Sequence, residues 1–422
     1  MTVLEDAAGR GSREFIVHIG LGEGMGRVVV VAGPDGRMTE CAPVAGVAAP
    51  MREVESFVAG VAGQDRHPQT EEHRSSSARF SSLGLIDLQV NGFAGVDFNR
   101  TDATAAAVDH ALATMLAHGT TRCLPTIITA SLEAMAARLR AFDAAVERSR
   151  LGPWMVMGYH VEGPFLSAED GYAGCHPKAH MRAAAFEILD RLEQGLRRPV
   201  RLLTVAPERE GVLDLIPKAI AAGKTIAIGH TAASRAQIEA AAAAGALLST
   251  HLGNGIGHLL EKNENPLFAQ LGEDRLSASF IADGIHIPPY MLRLYIRAKG
   301  LSRTILITGA TAGAAAAPGL YTLGDVPLEK SPDGTVREPG SPYLGGSSAT
   351  MDAVLRNAMA WLPATFNEAL GLARANPLRL LGEANVPAAG DPLEYVTWRM
   401  TGGGPEVIEA GVGPWVVNGA GA

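Results

Sequence analysis

The sequence predicts an α/β chain in which eight strand–helix units close into a (β/α)8 barrel, with a small β domain beside it. Three observations predict this. Short apolar runs alternate with helix-patterned segments from about residue 84 onward. The residues with chemistry to offer stand where several of those runs stop, and a barrel gathers its site at the carboxyl ends of its strands. Both ends of the chain carry short β-like runs separated by glycine turns. An open doubly wound sheet is the alternative. Ligands drawn from several different strand ends favour the barrel.

The units follow in order. LGLIDLQV precedes TAAAVDHALATMLAHG, and TRCLPTIIT precedes SLEAMAARLRAFDAAVERS. MVMGYHVEG comes before a loop and AAFEILDRLEQ; VRLLTVAPE leads to VLDLIPKAIAAG. TIAIGHT leads to SRAQIEAAAAAG, and ALLSTHLGN to a longer loop. LSASFIADGIH precedes PPYMLRLYIRAKG, and TILITG is followed downstream by TMDAVLRNAMAWL. Eight strand-like runs, most with a following helix, read as parallel β/α units. We place the barrel at residues 84–387 and the β domain at residues 1–83 with 388–422. FIVHI, RVVVVAG and MTECAPV before the barrel, with LEYVTWRM and PWVV after it, supply that domain's strands. The alternating glycines from Gly20 to Gly26 precede a valine strand rather than a helix, so they read as a turn and not as a dinucleotide loop. GQDRHPQTEEHRSSSAR, residues 63–79, reads as a solvated loop, and its His67 and His73 are not taken as ligands.

A chain of 422 residues with 47% hydrophobic content can bury a large core. Its net charge of −8 argues against a nucleic-acid surface and against anionic membranes. A small anionic substrate stays open if the local site is positive. No apolar run reaches the ~18–20 residues of a membrane helix. Cys41, Cys123 and Cys175 are odd in number and widely spaced. That pattern suits a reducing cytoplasm rather than a disulfide framework, and the N-terminus has no signal-peptide pattern.

Glu162, His230 and His251 each fall at the end of an apolar run. One carboxylate and two neutral imidazoles suit a divalent, zinc-like ion and leave it an open position. Such an ion activates water and polarises a carbonyl. His160 precedes Glu162 by two residues, which in a strand puts both on one face. It orients the carboxylate, or it is a packed interior histidine.

HVEGPFLS, IGHT, STHLGN, IADGIH and TMDAVLRNA, in this order, resemble the N-acetylglucosamine-6-phosphate deacetylases of the amidohydrolase superfamily, over roughly residues 84–382. The resemblance implies a metal-bearing barrel with a small β-sandwich built from both termini. It implies a metal-dependent hydrolase that removes acetyl from an N-acetylated amino sugar, with Glu162, His230 and His251 holding the ion. It also implies a homodimer. Many superfamily members carry His-x-His after the first strand; Gln89 and Asn91 stand there instead, so one metal, zinc by its donors, is expected. By the same resemblance His176, Asn254 and His286 line the substrate pocket, with His286 orienting or polarising the carbonyl.

Two departures bear on function. The family motif has a proton-shuttling Asp after the eighth strand, where this chain has Gly309. Either the chain is an impaired or binding-only variant, or another group takes the proton, with His286 and Asp283 the nearest candidates. The arginine that grips the sugar phosphate after the sixth strand is also missing, and only Lys262 stands in that loop. A hydrolase or cyclase of an unrelated small amide in secondary metabolism is the remaining alternative. Gly345, Gly346 and Ser347 read equally as a close approach to ligand or as a helix cap.

Overall fold

The computed structural model describes residues 4–6, 13–21, 24–33, 35–43 and 79–420 other than 363 and 386. Eight parallel strands form a nearly closed barrel: β1 Leu85–Val90, β2 Thr120–Ile128, β3 Tyr159–Glu162, β4 Val200–Val205, β5 Thr225–Ile228, β6 Leu248–Ser249, β7 Ser277–Ile281 and β8 Thr304–Ile307. They lie in chain order across the sheet. The seam between β8 and β1 is closed just past β8, where Gly309 N donates to Gln89 O at 3.0 Å and Asn91 N to Ala310 O at 2.7 Å.

Alternation along each strand divides the core. Leu203, Val205 and Val161 face the surrounding helices. Ile86, Leu88, Leu124, Leu202 and Ile305 fill the interior with Leu378 and Leu381 from the C-terminal helical segment. The helices start where their sequences say. Ser131 caps Leu132–Arg148 through the Ala134 amide, Thr104 caps Ala105–Ala117, and Ser234 with Gln237 forms a capping box on Arg235–Ala243.

Three local features depart from the sequence reading. Only the end of MVMGYHVEG is strand. Gly152–Met155 is a helical turn with Pro153 in its first positions, where a missing N–H costs nothing. The loop after β6 contains a helix, Pro266–Gly272, capped by Asn265. After β8 the chain inserts a three-stranded sheet, Gly319–Leu323, Val326–Lys330 and Val336–Arg337, before the helix Met351–Trp361.

The β domain draws on both termini. Its eight strands run in the order Leu4–Asp6, Trp415–Asn418, Gly404–Val412, Glu394–Thr401, Arg79–Ser82, Arg13–Leu21, Gly24–Ala32 and Met38–Pro43. The glycine run at 20–26 spans a hairpin, with Leu21 paired to Gly24; Gly22 and Glu23 lie outside the described residues. His67, His73 and residues 63–78 also lie outside them.

A buried ion cluster ties this sheet to the barrel. Glu394 accepts from Arg374 at 2.6 Å and Thr121 Oγ1 at 2.6 Å, and pairs with Arg122 at 2.8 Å. Burial alone would raise the Glu394 carboxyl. Arg122 and Arg374 outweigh it and bring it down to about 2. Its ionised form therefore stabilises the fold fully above the ordinary glutamate range, and that contribution is lost as pH falls toward 2. Glu394→Gln should lower stability at neutral pH by about 3–5 kcal/mol, since the buried Arg374 loses its carboxylate, while the half-buried Arg122 keeps Glu383 at 3.5 Å. In urea melts the gap between parent and variant should shrink at pH 3; a constant gap would rule out the charge as its origin.

Candidate metal centre and active site

Glu162 closes β3, and His230 and His251 lie two residues past the ends of β5 and β6. Both histidines adopt left-handed backbone, at φ 48° and 30°. A side chain rarely sits there, at ~1–3 kcal/mol, and such strain collects at functional sites. Gly255 is at φ 60° with room for no side chain, because a Cβ would lie 2.7 Å from the His230 ring. The loop after β6 thus packs directly on that imidazole.

The three side chains converge. Glu162 Oε1 lies 2.9 Å from His251 Nε2 and 3.3 Å from His230 Nε2, and one ligand atom from each residue lies within 4.8 Å of the others. All three residues are buried. Gln89 Nε2 donates to Glu162 Oε2 at 3.2 Å while its Oε1 accepts from Thr250 at 3.0 Å, which orients the carboxylate. Burial would raise the Glu162 carboxyl, but the His176, His230 and His251 imidazoles around it outweigh burial and hold it well below the usual range. Burial pushes the His251 and His176 imidazoles down, toward the neutral form that binds metal.

The donor set fits a cation. His230 Nδ1 faces the Tyr172 carbonyl at 2.8 Å, so that nitrogen carries the proton. A neutral His230 then aims the Nε2 lone pair at a carboxylate oxygen 3.3 Å away. Two acceptors face to face need a positive charge between them. A carbonyl behind the ligating imidazole is the usual arrangement around a protein-bound metal.

No family model matches the chain. It is 34% identical over 325 residues to the N-acetylglucosamine-6-phosphate deacetylase of Bos taurus, covering 74% of this chain and 77% of that protein.

The chain belongs to the N-acetylglucosamine-6-phosphate deacetylase family.

It is also 32% identical over 297 residues to the N-acetylgalactosamine-6-phosphate deacetylase of Escherichia coli O157:H7, covering 70% of this chain and 77% of that protein. Among solved structures, an Asp-to-Ala variant of N-acetyl-D-glucosamine-6-phosphate deacetylase from Mycobacterium smegmatis, in complex with N-acetyl-D-glucosamine-6-phosphate, superposes with a TM-score of 0.76. The two are 27% identical, over 95% of this chain and 99% of that one. Amidohydrolases of this kind use a divalent metal.

A cavity of about 440 Å³ opens over the cluster, lined also by His176, Asn254, His286, Gln89, Asn91 and Gly309. His176 Nε2 lies 3.6 Å from Glu162 Oε2, and its ring centroid 4.5 Å from that of His230. Asn254 Nδ2 donates to His251 O at 3.0 Å. Asn91 leaves Oδ1 buried and without a hydrogen-bond partner. His286 Nδ1 pairs with Asp283 Oδ2 at 2.7 Å, and Asp283 Oδ1 accepts the amides of Ile285 and His286. Burial would raise the Asp283 carboxyl, but His286 and those amides lower it on balance. His160 lies in the interior with Nε2 on Thr204 Oγ1 at 2.7 Å and Nδ1 on Thr126 Oγ1 at 3.3 Å; burial pushes it down to about 4. Lys262 is exposed and does not line the cavity. Gly346 does line it, and Ser347 donates Oγ to Thr308 O at 2.6 Å.

Gly309 is at φ 59°, and a Cβ there would lie 2.6 Å from Ile281 Cδ1. An isoleucine methyl thus fills the space a side chain would enter. Among the described residues lining the cavity, Glu162 is the one carboxylate. The Ile281 contact lies across two strands and leaves no signal in the sequence. The inserted sheet that forms part of the rim does leave one, in the turn residues Pro332, Asp333 and Gly334.

Proposed function

We propose that this chain is a deacetylase of N-acetylated amino sugars, with residues 84–387 as its metal-dependent barrel and residues 1–83 with 388–422 as its β domain. The observation that carries the reading is the buried convergence of Glu162, His230 and His251, with His230 locked in the tautomer that presents Nε2. These three hold one divalent ion, zinc by the donor chemistry. When bound, the ion supplies Lewis-acid polarisation of water and of the acetyl carbonyl.

The remaining work falls to the chain's own groups. His176 and Asn254 hold the sugar beside the cluster. Asp283 takes the Nδ1 proton of His286 in a hydrogen bond and leaves Nε2 to the cavity. His286 accepts a proton there from the attacking water and returns it to the amine nitrogen as the amide C–N bond breaks. The amine leaves neutral, which an amide anion could not do. Gly309 contributes no proton transfer. We further read the chain as a cytoplasmic homodimer.

His286→Asn should lower kcat by ~10²–10⁴ with metal content unchanged, measured as acetate release and elemental analysis. Loss of metal alongside activity would instead tie His286 to the ion site and end its role as proton relay. A second reading, a sugar-binding paralogue without turnover, is favoured by the apolar Ile281 methyl where the family acid would project. Tight sugar binding by the metal-loaded chain with no acetate released would select it.

A further inference from the structure

The relatives' substrates carry a sugar phosphate, and the loop after β6 offers the cavity no lysine or arginine to meet it. The cavity's other wall does. Arg337 ends the strand Val336–Arg337 in the inserted sheet and lines the same cavity as the Glu162 cluster. Among the described lining residues it is the one lysine or arginine. Its backbone is held on both sides, paired with Glu329 and bridged to Leu344. One guanidinium nitrogen, Nη1, donates to Pro342 O at 2.9 Å, which fixes the fork without neutralising it. No carboxylate of the described residues forms an ion pair with it. Pro342, Tyr343 and Leu344 beside it line the cavity too, and the Tyr343 ring lies 5.3 Å from that of His258, a further lining residue.

The electrostatics point one way. Glu162 is buried at the cavity floor among three imidazoles, while Arg337 is exposed at its rim. In a chain of net charge −8, the cavity thus carries one guanidinium that forms no ion pair among the described residues, with Asp333 the carboxylate that feels its charge. A planar fork with free N–H groups matches the oxygens of a phosphate monoester.

We infer that Arg337 binds the phosphate monoester of an N-acetyl amino sugar and sets selectivity for phosphorylated over unphosphorylated substrate. The inference rests on the deacetylase reading. It assigns the anion to the sheet inserted after β8, rather than to the loop after β6 where the family arginine is missing.

The test compares N-acetylglucosamine-6-phosphate with N-acetylglucosamine on the metal-loaded parent, Arg337→Gln and Arg337→Lys. In Arg337→Gln the ratio of kcat/KM between the two sugars should fall on the order of 10–100-fold, through KM for the phosphorylated sugar. Arg337→Lys should recover part of it. An unchanged ratio in Arg337→Gln would overturn the assignment. If the parent hydrolyses neither sugar, calorimetry with the same sugars decides separately. A preference for the phosphorylated sugar that Arg337→Gln loses would uphold Arg337 while the deacetylase reading falls. No preference in the parent would end the Arg337 assignment as well.

Discussion

His230→Ala should empty the metal centre. The parent should carry about one divalent ion per chain, as a single carboxylate–imidazole site holds. The variant should carry under about a tenth of that, with turnover lower by ~10³-fold or more, the equivalent of several kcal/mol of lost charge stabilisation. The reason lies in how the ligand is held. The Tyr172 carbonyl fixes the proton on Nδ1, and the left-handed backbone aims Nε2 at Glu162. Alanine keeps the backbone and removes the lone pair. Glu162 and His251 are left with two donors, too few for a closed grip on the ion. Elemental analysis after dialysis reads the result directly. Stoichiometric metal in a folded His230→Ala chain would remove His230 from the site and leave the cluster without its chemical meaning.

The barrel was legible because parallel strands buried on both faces are written as plain apolar runs. The strand-end residues Glu162, His230 and His251 stood out because polar groups interrupt such runs only for a reason. What sequence spacing could not carry was anything decided across strands. His160 shares a face with Glu162 in β3, yet its ring nitrogens go to Thr126 of β2 and Thr204 of β4. Arg337 reaches the cavity only because an unanticipated sheet folds back over it. Pro153 turned the start of one apolar run into helix, and the Asn265–Pro266 cap signal was present in a stretch read as loop.

The same limit governs position 309. From sequence alone, restoring an aspartate there looks like a single substitution. The structure adds a second position, because the new Cβ would lie 2.6 Å from Ile281 Cδ1, a side-chain end that has to turn aside. Ile281→Val deletes that methyl and costs only ~0.5–1.5 kcal/mol. The left-handed backbone at φ 59° adds ~1–2 kcal/mol, although aspartate tolerates it better than most residues. In a His286→Asn background, Gly309→Asp with Ile281→Val should therefore raise kcat by ~10²–10⁴, because a carboxylate again stands beside the cluster to take and return the proton. Gly309→Asp alone should gain less, since Ile281 must first swing aside. With His286 intact, the gain from the pair should be smaller, and its size measures how far the imidazole falls short of a carboxylate. A folded, metal-loaded chain carrying the pair and showing no gain in either background would mean that proton transfer does not limit this site. The missing acid would then have to be explained by loss of hydrolysis, not by its transfer to His286.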